Sequence, residues 1–351
     1  MKTLYKLFAG IVAMTISFYA LAYPGEGIVL DPVTGNYTIT YRGDPNSTEL
    51  SQTLFVPATK IDPTIRSSFR MGEKGVIVYR YAVSNGTTAK QGIVGVVLDQ
   101  VVDPIVGELP FPSPPNETKA AYDAYSAALK AAIASPAGWH GNVHRDDNRI
   151  YWVPNSPMRN GVIPAGRTLT GFGFSSLDLP GVGPSQMDGM GEVFSFSDEG
   201  PVEDSAVLDE LNRLRDNDFI TLAAAVPMIA VPAPFDAAVL LERIQTQMHT
   251  WIAMQLIDPA FSAQLDRTFQ SAISAYRLNQ PKVGKKHVQT MRELIKKEHA
   301  DADREDGNDE RGEKSYHDDK DKHTMIDKLA ARVLDFDLKY VMKRMGGEKD
   351  D

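Results

Sequence analysis

The residues best suited to chemistry lie in Trp139-His140-Gly141-Asn142-Val143-His144-Arg145-Asp146-Asp147, where two imidazoles and two carboxylates fall within eight residues. Such a set can bind zinc or place a general base beside a carboxylate. On an extended strand His140 and His144 share one side, because alternate residues face alternate ways. His140, His144 and Asp146 are therefore the candidate catalytic residues. The same stretch also reads as a plain strand running into a polar turn at Asp146-Asp147-Asn148, with Trp139 and Trp152 as core anchors. No HExxH spacing accompanies the histidines.

A second group offers oxygen ligands: Asp301, Asp303, Glu305, Asp306 and Asp309, followed by Glu310. Hard oxygens suit calcium, but an EF-hand loop needs Gly at its sixth position and Glu at its twelfth. Counting from Asp301, those positions hold Asp306 and Gly312, and lysines and arginines interrupt the cluster. Asp303 to His323 carries no aliphatic side chain, so it cannot bury enough apolar surface to offset its ordering entropy. The expectation is a solvated, extended or disordered loop, with loosely held calcium as the one cofactor to consider. His317 and His323 would add transition-metal ligands in the same setting.

Nucleophile and phosphate motifs are missing from the sequence: there is no GxSxG elbow, no Walker loop and no GxGxxG. The glycines between Gly181 and Gly191 read as a flexible loop. Trp139, Tyr151, Trp152, Phe172 and Phe174 could line a sugar platform, but aromatics carry much of the buried area of a sheet-rich domain, and core packing is the expectation. Asp335 and Asp337 stand two apart on a helix, point to different faces and read as surface charges.

These residues must be positioned by a chain of 351 residues with a formal charge of −9 and no cysteine. Disulfides, Cys-ligated metal sites and a lipoprotein anchor are excluded. The acidic excess and the lack of a basic face argue against nucleic acid and anionic membrane surfaces as partners. Residues 1–22 read as an export signal: Lys2 and Lys6, then an uncharged run from Leu7 to Ala22 with Ala20-Leu21-Ala22 before Tyr23. The run is too short for a permanent span. Export without cysteine fits a bacterial protein released to the periplasm or the exterior. The sequons at Asn36, Asn46, Asn85 and Asn116 then read as chance matches in turn-rich sequence.

Two halves differ in periodicity. From 23 to 230 the vocabulary is that of strands and turns. Strands are expected at Asn36–Arg42, Leu50–Val56, Gly75–Asn85, Gly92–Val102, Arg167–Ser175 and Phe219–Val226. Gly75–Asn85 and Gly92–Val102 read as a hairpin around Gly86-Thr87-Thr88. An Ala-rich helix is inserted near 116–134, and Asp204–Arg215 reads as a short helix. From 235 to 351 the apolar spacing turns helical, predicting helices over Phe235–Ile257, Pro259–Leu278, Val283–Glu298 and Thr324–Met345, with the charged loop 301–323 before the last. Four amphipathic helices suggest a small antiparallel bundle.

The string Tyr79-Arg80-Tyr81-Ala82-Val83-Ser84-Asn85 with its return strand resembles the central hairpin of immunoglobulin-like or fibronectin-like sandwiches found in secreted bacterial proteins. Ile163-Pro164-Ala165-Gly166, followed by Leu169-Thr170-Gly171-Phe172, resembles a later strand of uncharacterised members of that group. The resemblance covers 23–201, implies a β-sandwich and brings no catalytic residue. The expected fold class is α+β: an N-terminal Ig-like β-sandwich with a helix insertion, then a C-terminal helical bundle. The expected function is non-enzymatic: an exported binding or scaffold protein for protein or glycan of the bacterial envelope. The alternative is a secreted hydrolase built on His140, His144 and Asp146.

Overall fold

A computed structural model describes residues 24–99, 131–144, 149–156, 161–190, 200–203, 205–299 and 324–346, with single positions at 119, 124 and 127. Residues 1–22, read above as an export signal, together with Asn116, Asp146 and the acidic cluster from Asp301 to Asp309, lie outside the described residues. The described chain is mixed α+β, with three antiparallel sheets and five helices. By contacts it divides into two units. One joins residues up to Pro57 with Gly191–Asp218, and the other joins Ala58–Met190 with Phe219 onward. This line differs from the compositional boundary near 230.

In the first unit, β1 (Gly27–Asp31), β2 (Asn36–Tyr41) and β3 (Ser51–Phe55) form a meander. Its first turn is closed by Asp31, whose carboxylate accepts from the Val33 amide at 2.9 Å and the Thr34 hydroxyl at 2.6 Å. One side chain thus does the work of a backbone turn. Helix α1 (Ala206–Asp216) starts at Ser205, whose hydroxyl accepts from the Leu208 amide. Its Val207 and Leu211 pack with Ile39, Tyr41 and Phe55 into a small core.

The second unit holds two sheets. One runs β4 (Pro63–Met71), β5 (Ile77–Asn85), β10 (Arg167–Ser176), β7 (Ile133–Ala134). The other runs β12 (Ile220–Ile229), β11 (Leu179–Gly189), β6 (Ile93–Leu98), β9 (Arg149–Pro154), β8 (Trp139–His144). Alternation along β5 buries Ile77, Tyr79, Tyr81 and Val83. Along β10, Leu169 pairs with Val83, while Phe172 and Phe174 pair with Tyr81 and Tyr79. Parity would separate Leu169 from the two phenylalanines, but a bulge at Gly171 (φ +104°) absorbs one residue and keeps all three facing one way. The first sheet's rings meet those of the second: Trp152 packs edge-on against Phe172 at 5.7 Å and Trp139 against Phe172 at 5.3 Å. The Tyr81 hydroxyl donates to the Ala225 carbonyl at 2.8 Å, so this buried phenol is satisfied across the two sheets.

Two expectations are corrected here. The strands 77–85 and 93–98 exist but do not form a hairpin: β5 pairs with β4 and β10, whereas β6 pairs with β11 and β9. The connection between them carries the chain from one sheet to the other, and the local partner of β5 is β4, reached through the turn at Glu73–Gly75. The glycine-rich run 181–191 is not a loop over its described part; it lies largely in β11, hydrogen-bonded on both sides. Its glycines make room for neighbours, since a Cβ on Gly181 would stand 2.8 Å from Met228 and one on Gly183 would stand 2.7 Å from Val226. The helix expected at 116–134 is mostly outside the described residues; positions 119, 124, 127, 131 and 132 are helical, and 133–134 is strand.

Gly173 offers a direct test of the ladder. A Cβ there would lie 2.3 Å from the Tyr79 carbonyl oxygen, a backbone atom that cannot swing away. Gly173→Ala is expected to lower unfolding free energy by about 3 kcal/mol through overpacking, read as a lower denaturation midpoint.

The four later helices are α2 (Ala237–Ala253), α3 (Pro259–Arg277), α4 (Pro281–Glu298) and α5 (Lys328–Gly346). Asp236 and Asp258 cap α2 and α3 through their carboxylates, and prolines open α3 and α4. Each helix packs on the next, and α5 returns to α2. Helix α5 also touches β11 and β12 and sets Phe336 edge-on against Phe69 of β4 at 5.1 Å. The two sheets and four helices of the second unit therefore share one continuous hydrophobic core. The fold corrects a further expectation: Asp335 and Asp337 are not surface charges but are 2 % and 0 % exposed.

Candidate functional site

The stretch containing His140 and His144 forms β8, the outermost strand of its sheet. A turn at Pro136–Gly138 starts it, with the Trp139 amide bonded to the Pro136 carbonyl at 3.0 Å. Trp139 and Val143 are buried, so alternation turns His140 and Asn142 to the opposite face. On β9 the same rule buries Ile150 and Trp152 and turns Arg149, Tyr151 and Val153 outward. The register sets His140 opposite Val153, Asn142 opposite Tyr151, and position 144 opposite Arg149.

The outward face carries paired polar groups. The exposed His140 ring shares a hydrogen bond at 2.9 Å between Nδ1 and the Asn155 side-chain oxygen. Asn142 donates to the Tyr151 hydroxyl at 2.7 Å. Arg149 reaches Asp99 through Nε at 3.2 Å and a terminal nitrogen at 3.4 Å, and Gln186 donates to the same carboxylate at 3.5 Å. Registers align Asn142, Tyr151, Val97, Gln186 and Thr221 in one row across the sheet. Trp139, Trp152, Phe172 and Phe174 are buried, so only Tyr151 of the proposed aromatic platform stands on this half-exposed face.

Of the sequence candidates, His140 is placed beside an amide, His144 is placed by its backbone register alone, and Asp146 lies outside the described residues. Among the described residues no group of three or more His, Asp or Glu side chains comes together as a metal site. No helix among the described residues is long and apolar enough to cross a membrane. Sequence reading missed Asp99, Arg149 and Gln186 as a set, because Arg149 and Gln186 lie on β9 and β11 and Asp99 just past the end of β6, far apart in the chain.

The sequon at Asn85 has a structural explanation. Asn85 is 1 % exposed. Its side-chain oxygen accepts from the Asp62 amide at 3.0 Å, and its nitrogen donates to the carbonyls of Gln91 at 2.8 Å and Ile163 at 3.0 Å. The side chain holds the corner where the chain passes from β5 toward β6. A second group that sequence reading missed is the ion pair of Arg292 and Asp335, with side chains 11 % and 3 % exposed. The signal was available, because Val333, Leu334, Phe336, Leu338, Tyr340 and Val341 surround Asp335 and Asp337 with Lys339 as the one further charge, and a helix apolar nearly all round is a buried one.

No known protein family's model matches the chain, and no curated protein matches it significantly.

Proposed function

We propose that this is an exported, non-enzymatic binding or scaffold protein of the bacterial envelope or exterior, recognising protein or glycan through the outward face of β8, β9, β6 and β11. The observation that carries the reading is the set of polar groups paired with one another on that face: Asn142 with Tyr151, and Arg149 with Asp99 and Gln186. Amides, a carboxylate and a guanidinium held by one another are preorganised, so a ligand rich in hydroxyls or amides meets donors and acceptors already in place. The two facing sheets joined by Tyr81, Trp139 and Trp152 support reading the second unit as a β-sandwich of immunoglobulin-like kind, and the ring of α2 to α5 supports reading its end as a helical bundle. Release at Tyr23 and a periplasmic or extracellular location belong to the same reading.

The hydrolase alternative would need His140, His144 and Asp146 to converge on one reacting atom. Calcium held by Asp301, Asp303, Glu305, Asp306 and Asp309 would be a separate property of that segment. The test of the leading reading is a panel of cell-wall glycans and envelope peptides, titrated against the mature protein and a Tyr151→Ala/Arg149→Ala variant. The variant is expected to bind the best ligand about tenfold more weakly or worse at an unchanged melting midpoint. Equal affinity in the two proteins would remove this face from the proposal.

A further inference from the structure

Helix α5 is buried nearly all round, and Asp337 faces inward from it with no solvent exposure. Neither carboxyl oxygen of Asp337 has a hydrogen-bond partner among the described residues. The charged groups of the surrounding elements are turned away or engaged. From β4, Arg66 and Arg70 lie exposed on the face opposite Ser67 and Phe69. From β5, Arg80 points outward with its guanidinium on the Tyr79 carbonyl, while the Tyr79 phenol, near enough to Asp337 to feel its charge, donates to the Asp178 carbonyl at 2.8 Å. Strand β12 carries no ionisable side chain, and the only one on β11, Asp188, lies against Gly95. From α4, Arg292 is bound to Asp335. From α2, Glu242 pairs with Arg277, Arg243 with the Ala230 carbonyl and His249 with Asp266. On α5 itself Arg332 covers the Phe69 ring and Arg344 the Phe235 ring, and Lys328, Lys339 and Lys343 each have partners of their own.

We propose that Asp337 is a proton-operated latch: its neutral carboxyl lets α5 seat in the core, and loss of the proton to solvent unseats the helix. A carboxylate at this point would be neither hydrated nor paired, so ionisation is favoured only when the side chain moves out to water. Burial pushes the Asp337 carboxyl well above the usual carboxylate range and the Tyr79 phenol above its own. The sign follows from the raised value. The seated form has its full advantage below the ordinary carboxyl value of about 4 and loses it as pH climbs toward the raised one, by up to about tenfold per pH unit.

The test is amide hydrogen exchange of residues 333–345 across about pH 5 to 8, corrected for intrinsic exchange, with α1 as the reference segment. Protection of α5 in the native protein should fall with pH by up to about tenfold per unit, and Asp337→Asn should flatten that slope. Asp337→Leu should flatten it equally and serves if the amide variant folds poorly. An equal slope in native and variant proteins overturns the latch. Infrared spectra of the native protein, with isotopically labelled aspartate, give an independent reading. A protonated-carboxyl band persisting at about pH 7 supports the latch, and its absence overturns it.

Discussion

Arg292→Met should lower the unfolding free energy by about 3–5 kcal/mol, the cost of leaving a buried carboxylate without its cation. The guanidinium meets Asp335 in a fork, Nε to Oδ1 at 2.8 Å and a terminal nitrogen to Oδ2 at 3.0 Å. With the side chains only 11 % and 3 % exposed, water cannot replace what the substitution removes. Desolvation has already cancelled much of the pair's Coulomb attraction, so removing both partners is a different experiment. Arg292→Met with Asp335→Leu should recover most of the loss, since apolar groups of similar volume suit a buried site. Equilibrium denaturation of the native, single and double variants reads this directly. A single variant as stable as the native protein would mean that Asp335 is not held by Arg292.

The second large effect is expected at Asn85→Ala, at about 3 kcal/mol from the three hydrogen bonds of one buried side chain lost at one corner. The amide of Asp62 and the carbonyls of Gln91 and Ile163 would lose their common partner. Asn85→Asp should be no better, because a carboxylate has no hydrogen to donate to the two carbonyls. Equilibrium unfolding measures both substitutions. The same geometry makes glycosylation of this sequon incompatible with the folded protein, so mass analysis of protein made in a glycosylating host should find Asn85 unmodified.

What the sequence disclosed follows from how local each determinant is. Alternation marked Asn36–Tyr41 and Arg167–Ser176, and the spacing of apolar residues marked all four later helices to within a few residues. Pairing is set by residues far apart, and there the hairpin expectation failed. Nothing between Gly86 and Gly92 announces a passage from one sheet to another, because the tie is Asn85 reaching Ile163. The glycines of β11 looked like loop residues because glycine marks both a free backbone and a crowded one; Met228 and Val226, which fill the space above them, lie on another strand. Asp335 and Asp337 were misplaced because charge was weighed above the apolar residues next to them, Leu334, Phe336 and Leu338. At the candidate site the outward direction of His140 was legible from strand parity. The bond of Arg149 to Asp99, fifty residues away, was not.

On the proposed reading, the outward face of the five-stranded sheet binds a ligand without transforming it. The most direct measurement incubates the mature protein with the glycan and peptide panel, isolates the bound fraction and weighs the ligand by mass spectrometry. Binding with every ligand recovered at its starting mass is the predicted result. Cleavage products that vanish in a His140→Ala variant would contradict it and establish the hydrolase in its place.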